Sequence, residues 1–141
     1  MFEVKELDDQ YIKLCFELDS DSIRLWSKRQ WEKEFYKKEA KIFALFSANK
    51  IIGVCSFDVI LDEAHINYFL INQKYRRKGL GRYLMKNLIS QFKILNLEKV
   101  LLEVSESNSG AQEFYNNLGF YTVGKRTKYY KDGSDAVLKE K

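Results

Sequence analysis

Apolar positions repeat every second residue in some stretches and every third or fourth in others, and the changes of period mark the elements. Phe2-Glu3-Val4-Lys5 alternates and predicts a first strand. Tyr11, Leu14, Cys15 and Leu18 fall at helical spacing, with Asp8 or Asp9 as the cap and Asp19 to Asp21 as the break. Trp26, Gln30, Trp31 and Phe35 suggest a second helix ending near Lys37-Lys38. Two apolar runs follow, Ile42 to Phe46 and Ile51 to Phe57, and read as a hairpin across Ser47-Ala48-Asn49-Lys50. Ala64 to Ile71 is a further strand, rich in aromatic and β-branched residues.

Leu80, Leu84, Leu88, Ile89 and Phe92 then share one helical face. Lys99 to Val104 reads as a buried strand. Asn108 or Ser109 opens a short helix through Phe114, Tyr115 and Leu118, with Gly119 as its C′ residue. Phe120 to Gly124 and Tyr129 to Leu138 read as two last strands joined through Lys131-Asp132-Gly133. The order is β-α-α-β-β-β-α-β-α-β-β. It predicts an α/β fold: a mixed sheet with helices on its faces.

Length and composition add one constraint each. The 141 residues fit a single domain, 1–141, without repeat or linker. With 45% hydrophobic residues the chain can fill a core, which argues against disorder. There is no proline, so turns rest on Gly, Asn, Asp and Ser. The net charge of +4 is too small to suggest direct nucleic-acid binding. Charges interrupt Met1 to Glu6, so it does not read as a signal peptide. No apolar run reaches the roughly 18 residues of a membrane span. Cys15 and Cys55 read as buried thiols, and one histidine, His65, is too few for a zinc site. No membrane, no metal and a cytoplasmic location are the expectations.

The segment that carries chemistry is Ile71-Asn72-Gln73-Lys74-Tyr75-Arg76-Arg77-Lys78-Gly79-Leu80-Gly81-Arg82. A strand ends, a basic loop with two glycines follows, and an amphipathic helix begins. A helix N-terminus offers unpaired N–H groups and partial positive charge, which suits phosphate. Gly79 and Gly81 let the backbone approach an anion, and Arg76, Arg77, Lys78 and Arg82 add charge. Pyrophosphate is the ligand class this predicts. The bland alternative is a tight turn and nothing more.

Arg76-x-x-Gly79-x-Gly81 after a strand resembles the acetyl-CoA motif of the GCN5-related N-acetyltransferase (GNAT) superfamily. Several segments are similar to the bacterial ribosomal-protein-alanine N-acetyltransferases: Leu61-Asp62-Glu63-Ala64, Lys74 to Arg82, Leu102-Glu103-Val104, Ser107-Asn108 and Phe114 to Phe120. So is Tyr129-Tyr130 before Asp135-Ala136. Lys131 stands where that family often has proline, and Asn72-Gln73 where it often has Asp-Pro. The first sixty residues match in pattern only.

The resemblance implies a GNAT fold: about seven strands, mostly antiparallel, flanked by helices and splayed at the acetyl-CoA site. It implies acetyl-CoA as cosubstrate, bound through Arg76, Arg77, Lys78, Gly79, Leu80, Gly81 and Arg82. It further assigns the backbone of Phe69, Leu70 and Ile71 to the pantetheine arm, and Asn108 to a cofactor hydrogen bond beside its role as a cap. Glu103 is the implied base, set in an apolar run where partial burial would suit it to accept a proton. A residue that only faces solvent or pairs with a lysine is the alternative. Tyr115 is the implied acid for the thiolate, with aromatic packing as its alternative. His65 reads as structural, for want of a partner in the local sequence. Tyr129-Tyr130 either lines an acceptor cleft or pairs across strands, and Trp26 and Trp31 read as core or cleft rim. The expected reaction is acetylation of a protein N-terminal α-amine, with a ribosomal protein beginning with alanine as the expected substrate, by a monomer or weak dimer. The alternatives are a small amine or lysine acceptor, or a non-catalytic acetyl-CoA-binding module.

Overall fold

The computed structural model describes all 141 residues. The elements are β1 (Phe2–Glu6), α1 (Ile12–Ser20), α2 (Lys28–Tyr36), β2 (Ala40–Ser47), β3 (Lys50–Ile60), β4 (Glu63–Ile71), α3 (Leu80–Ile94), β5 (Lys99–Ser105), α4 (Ser109–Asn117), β6 (Tyr121–Arg126) and β7 (Ala136–Glu140). The predicted order of strands and helices is the observed one. The strands form one sheet in the order β1-β2-β3-β4-β5-β7-β6. Every neighbouring pair is antiparallel except β4 with β5.

Helices cover both faces of the sheet, which explains the unbroken apolar runs in its central strands. On β2, Phe43 and Leu45 enter the core beneath α3 and α4, with Leu84, Leu88 and Phe92. Ile42, Ala44 and Phe46 of the same strand point the other way, toward Cys15, Leu18 and Trp31 of α1 and α2. Cys15 and Cys55 are buried free thiols, as the sequence predicts.

Helix ends follow local chemistry. Ser27 and Gln30 form a reciprocal capping box that starts α2. This places Trp26 just outside the helix that the sequence reading had assigned to it. Trp26 instead packs edge-on against Trp31 and tilted against Tyr68, with ring centres 4.8 and 5.0 Å away. Asp19, read as a helix breaker, is fully buried in the last turn of α1. Its carboxylate accepts hydrogen bonds from the amides of Leu25 (3.0 Å) and Trp26 (2.8 Å) and from the Tyr68 hydroxyl (2.8 Å). The α1–α2 linker is thereby pinned to the sheet.

The end of the chain differs from expectation. Tyr129 and Tyr130 do not belong to a strand; β6 runs to Arg126 and β7 starts only at Ala136. Between them the chain closes a turn, with Gly133 N–H donating to the Tyr130 carbonyl (3.0 Å) and Tyr130 N–H to that of Ser134 (3.2 Å). Gly133 takes φ +86°, which a strand residue would not adopt. The tyrosine pair is carried by the β6–β7 loop.

Two irregularities of the sheet shape the cleft. Ser56 pairs with Tyr68 and Phe57 with Ile66, which leaves Asn67 as an extra residue, a bulge, on β4. The strands separate just before it: β4 pairs with β5 only at Glu63/Lys99, Ala64/Val100 and His65/Leu101. β5 continues alongside β7 as far as Ser105/Ala136, while β4 continues alongside β3 to Ile71.

Candidate active site

The gap between the parting strands opens into a cleft of about 840 Å³. Its floor comes from Ile66 to Phe69 of β4 and Leu101 to Ser105 of β5. Trp26 and its neighbours Ile23 and Leu25 form one wall, and Arg126, Tyr129 and Tyr130 another. Tyr115 and Asn108 reach it from α4 and its cap.

β4 presents part of its backbone to this gap. Asn72 N–H donates to the Ile52 carbonyl at 2.7 Å, so Asn72 faces β3. Backbone groups of successive strand residues alternate in direction. Leu70 therefore also faces β3, whereas Phe69 and Ile71 face the gap. Of the three residues assigned to the pantetheine arm, two have amides free for it, and Leu70 is a core residue on the α1 and α2 side. Arg76 closes the end of the open edge, its Nε donating to the Ile71 carbonyl at 3.1 Å.

The basic loop then turns into α3. Arg77 has φ +62° and Gly79 φ +76°, so successive amides fold inward rather than along an extended chain. The N–H groups of residues 77 to 82 make no hydrogen bond within the protein; the first bonded amide is that of Tyr83, to the Gly79 carbonyl at 3.0 Å. A row of unpaired amides at a helix start, flanked by Arg76, Arg77, Lys78 and Arg82, is an anion cradle. A Cβ on Gly79 would meet no protein atom within 4 Å, so the space beside it is open to a ligand. Gly81 also meets a packing demand. A Cβ there would lie 3.1 Å from the Phe114 ring, so its bareness lets α3 pack against α4. These residues fit the pyrophosphate of a coenzyme A thioester.

Across the gap, β5 alternates. Val100, Leu102 and Val104 are buried, and Leu101, Glu103 and Ser105 face the cleft half-buried. Glu103 Oε1 lies 3.1 Å from Arg126 Nε. The sequence reading considered burial or a lysine partner for this carboxylate; the partner is an arginine at the end of β6. The guanidinium also rests over Tyr129, 5.5 Å from the ring centre.

Tyr115 is buried at the end of an aromatic group formed by Phe69, Phe114 and Phe120. Burial pushes its phenol above the ordinary range, with the Cys55 thiol a smaller contributor. Asn108 is the N-cap of α4, its Oδ1 accepting from Ala111 N–H at 3.1 Å.

His65 lines the cleft and has a partner that the sequence reading overlooked. Its Nε2 lies 2.9 Å from Glu63 Oε1. The signal was present, because residues two apart on a strand share a face. Four more cleft residues escaped the sequence reading: Arg126, Glu34, Lys37 and Asn67. They come from β6, α2, the end of α2 and β4, and no local motif links them. No group of His, Cys, Asp and Glu could hold a metal ion, and no helix is long and apolar enough to cross a membrane.

An open strand edge beside an anion cradle, facing a second strand that carries a carboxylate, is what an enzyme needs to hold an acyl-coenzyme thioester against a nucleophile. Comparison with known proteins gives the class its name. The model of the acetyltransferase (GNAT) family matches residues 6–120, and the chain belongs to that family. It is an N-acetyltransferase, and the family uses acetyl-CoA.

Among similar proteins, the ribosomal protein bS18-alanine N-acetyltransferase of Escherichia coli is 34% identical over 99 residues, covering 68% of this chain and 67% of its own. A crystal structure of the Escherichia coli ribosomal-protein-S18-alanine N-acetyltransferase superposes with a TM-score of 0.91 at 26% identity, covering 99% of this chain and 92% of the other. The spermidine/spermine N-acetyltransferase of Vibrio cholerae shares the fold, with a TM-score of 0.81 at 21% identity and coverages of 99% and 91%.

Proposed function

We propose that this enzyme transfers the acetyl group of acetyl-CoA to the N-terminal α-amine of a protein, a ribosomal protein beginning with alanine being the acceptor best supported. The observation that carries the reading is the separation of β4 from β5 after His65 and Leu101, which sets an open strand edge and Glu103 on one cleft. The similarity to the bS18-alanine enzymes supports the acceptor.

In this reading the amides of residues 77 to 82 hold the pyrophosphate, and Phe69 and Ile71 pair with the pantetheine arm like an added strand. Asn108 contributes a cofactor hydrogen bond in addition to its cap. Glu103, directly or through one water, takes a proton from the ammonium, because only the neutral amine has a lone pair to attack with. The amine nitrogen bonds to the thioester carbon and gives up its second proton to solvent, and the carbon–sulfur bond breaks. Tyr115 supplies the proton to the departing thiolate and regains one from solvent. An α-amine, with a pKa near about 8, asks less of a carboxylate than lysine at about 10.4.

The shared fold of the Vibrio enzyme keeps small amines as the second reading, since that fold serves acceptors of both kinds. One assay separates the two. Free coenzyme A thiol is followed with a peptide beginning Ala-Arg, with the same peptide blocked at its N-terminus, and with spermidine. Release with the free peptide alone, and mass spectrometry placing the acetyl group on the α-amine, supports the α-amine reading. Release with spermidine and not with the peptide overturns it.

A further inference from the structure

The cleft contains a second carboxylate, Glu34 of α2, to which the proposed chemistry gives no task. It is 7% exposed, so its presence there needs a reason. Its Oε2 accepts from the Asn67 side-chain amide at 2.9 Å and from the Ser56 hydroxyl. Its Oε1 pairs with Lys37 Nζ at 2.9 Å, and Lys37 in turn pairs with Asp58 at 2.9 Å. With three protein donors already on its two oxygens, Glu34 is poorly placed to act as a proton acceptor. Buried ion pairs contribute little net stability, but they do fix geometry.

The geometry held here is that of the bulge. Asn67 is the extra residue of β4, and Ser56 stands at the register shift on β3. The bulge changes the parity of the strand. Ala64 and Ile66 before it pack on the α3 side, and so do Phe69 and Ile71 after it. Tyr68 and Leu70 are sent to the α1 and α2 side. Without the extra residue, Phe69 and Ile71 would turn toward β3 and present no amide to the gap. The bulge thus selects which amides line the acyl site, and Glu34 is the group that grips it from α2.

We propose that Glu34 is a positioning residue for acetyl transfer, acting through Asn67 to hold the β4 bulge and so the amides of Phe69 and Ile71. The proposal rests on the gap being the acyl site. It predicts that loosening the bulge weakens the grip on the acyl-pantetheine half of the cosubstrate and spares the nucleotide half.

The test is calorimetric titration with acetyl-CoA and with 3′-phospho-ADP, the nucleotide half, at a temperature where each variant is folded. In Glu34→Met, acetyl-CoA affinity should fall about tenfold or more while 3′-phospho-ADP changes little, the size expected when a binding group is displaced by a fraction of an ångström. Glu34→Gln keeps an acceptor for Asn67 and should recover most of the loss. Asn67→Ala should reproduce it, and the double variant should lose no more than either single one. Lys37→Met breaks the ion pair and leaves the bulge contact, so it should bind acetyl-CoA like the wild type. Equal loss for both ligands, full additivity, or a Lys37→Met defect as large as that of Glu34→Met overturns the proposal. If wild-type protein binds acetyl-CoA no better than 3′-phospho-ADP, the acyl-site reading itself fails and the proposal with it.

Discussion

Arg126 Nε lies 3.1 Å from Glu103 Oε1, joining the end of β6 to the middle of β5 across the floor of the cleft. Arg126 is 56% exposed at its side chain and Glu103 30%, so the arginine has room to swing away and the carboxylate does not. An incoming ammonium can replace the guanidinium as the partner of Glu103, one cation for another. Glu103→Gln removes the proposed proton acceptor and keeps the shape. Turnover should fall by about a hundredfold or more at neutral pH, with acetyl-CoA affinity unchanged by calorimetry. Arg126→Met should cost less than about tenfold, since an exposed pair contributes modestly. A Glu103→Gln enzyme as fast as the wild type removes Glu103 from the mechanism.

Tyr115 offers a cleaner separation of packing from chemistry. Its ring is held by Phe69, Phe114 and Phe120, while its hydroxyl makes no hydrogen bond within the protein. Tyr115→Phe should therefore change stability by no more than about 1 kcal/mol. Loss of a general acid should lower turnover by about 10² to 10⁴. Since burial raises the phenol's pKa, it keeps its proton throughout the neutral range. No loss of activity from its ionisation should be seen below about pH 10. Full activity in Tyr115→Phe, measured beside an unchanged melting temperature, contradicts the assignment.

The two loop glycines should respond differently to alanine. Gly79 has φ +76° and open space around its Cα, so Gly79→Ala strains the backbone by about 1 to 2 kcal/mol and puts a methyl group where the pyrophosphate is proposed to sit. Gly81→Ala presses on the Phe114 ring, 3.1 Å from the new carbon. The first should weaken acetyl-CoA binding more than it lowers the melting temperature, and the second the reverse. Calorimetry and a thermal melt on the two variants decide it; identical behaviour contradicts the distinction.

Alkaline pH should unfold this protein through its buried acids. Burial pushes the Cys15 thiol from 9.0 up to about 12 and raises that of Cys55 as well. The phenols of Tyr68 and Tyr115 are raised chiefly by burial, Tyr68 also by its hydrogen bond to Asp19. Each group keeps its proton when folded and releases it when unfolded, so stability is full below the unfolded values and falls as pH rises above them. For Cys15 the loss runs from 9.0 to about 12. Each such group contributes a slope of about 1.4 kcal/mol per pH unit. Urea unfolding at about pH 8 and about pH 10 should show the decline, and Cys55→Ala should flatten it. An unchanged slope in that variant contradicts the cause.

The sequence by itself determined the order of strands and helices, since residue period follows local geometry. It also singled out the loop proposed to hold the pyrophosphate, because a strand, a basic glycine loop and a helix start are contiguous. The roles proposed for Glu103 and Tyr115 come from resemblance rather than pattern: a carboxylate in an apolar run and one tyrosine among nine carry no local sign of chemistry. Gly81 reads in the sequence as part of the anion loop; that a side chain there would press on Phe114, more than thirty residues away in the chain, does not. Tertiary structure alone decided what faces what. It brought Arg126 to Glu103, Glu34 to Asn67 and Glu63's neighbour His65 into the cleft. It also placed Lys139, on an ordinary-looking strand, at 2% exposure between Asn116 and Thr122. The physical reason is the bulge and the parting of β4 from β5. A single unpaired residue reverses which way every later side chain and amide points, and only the pairing of strands distant in sequence reveals where it falls.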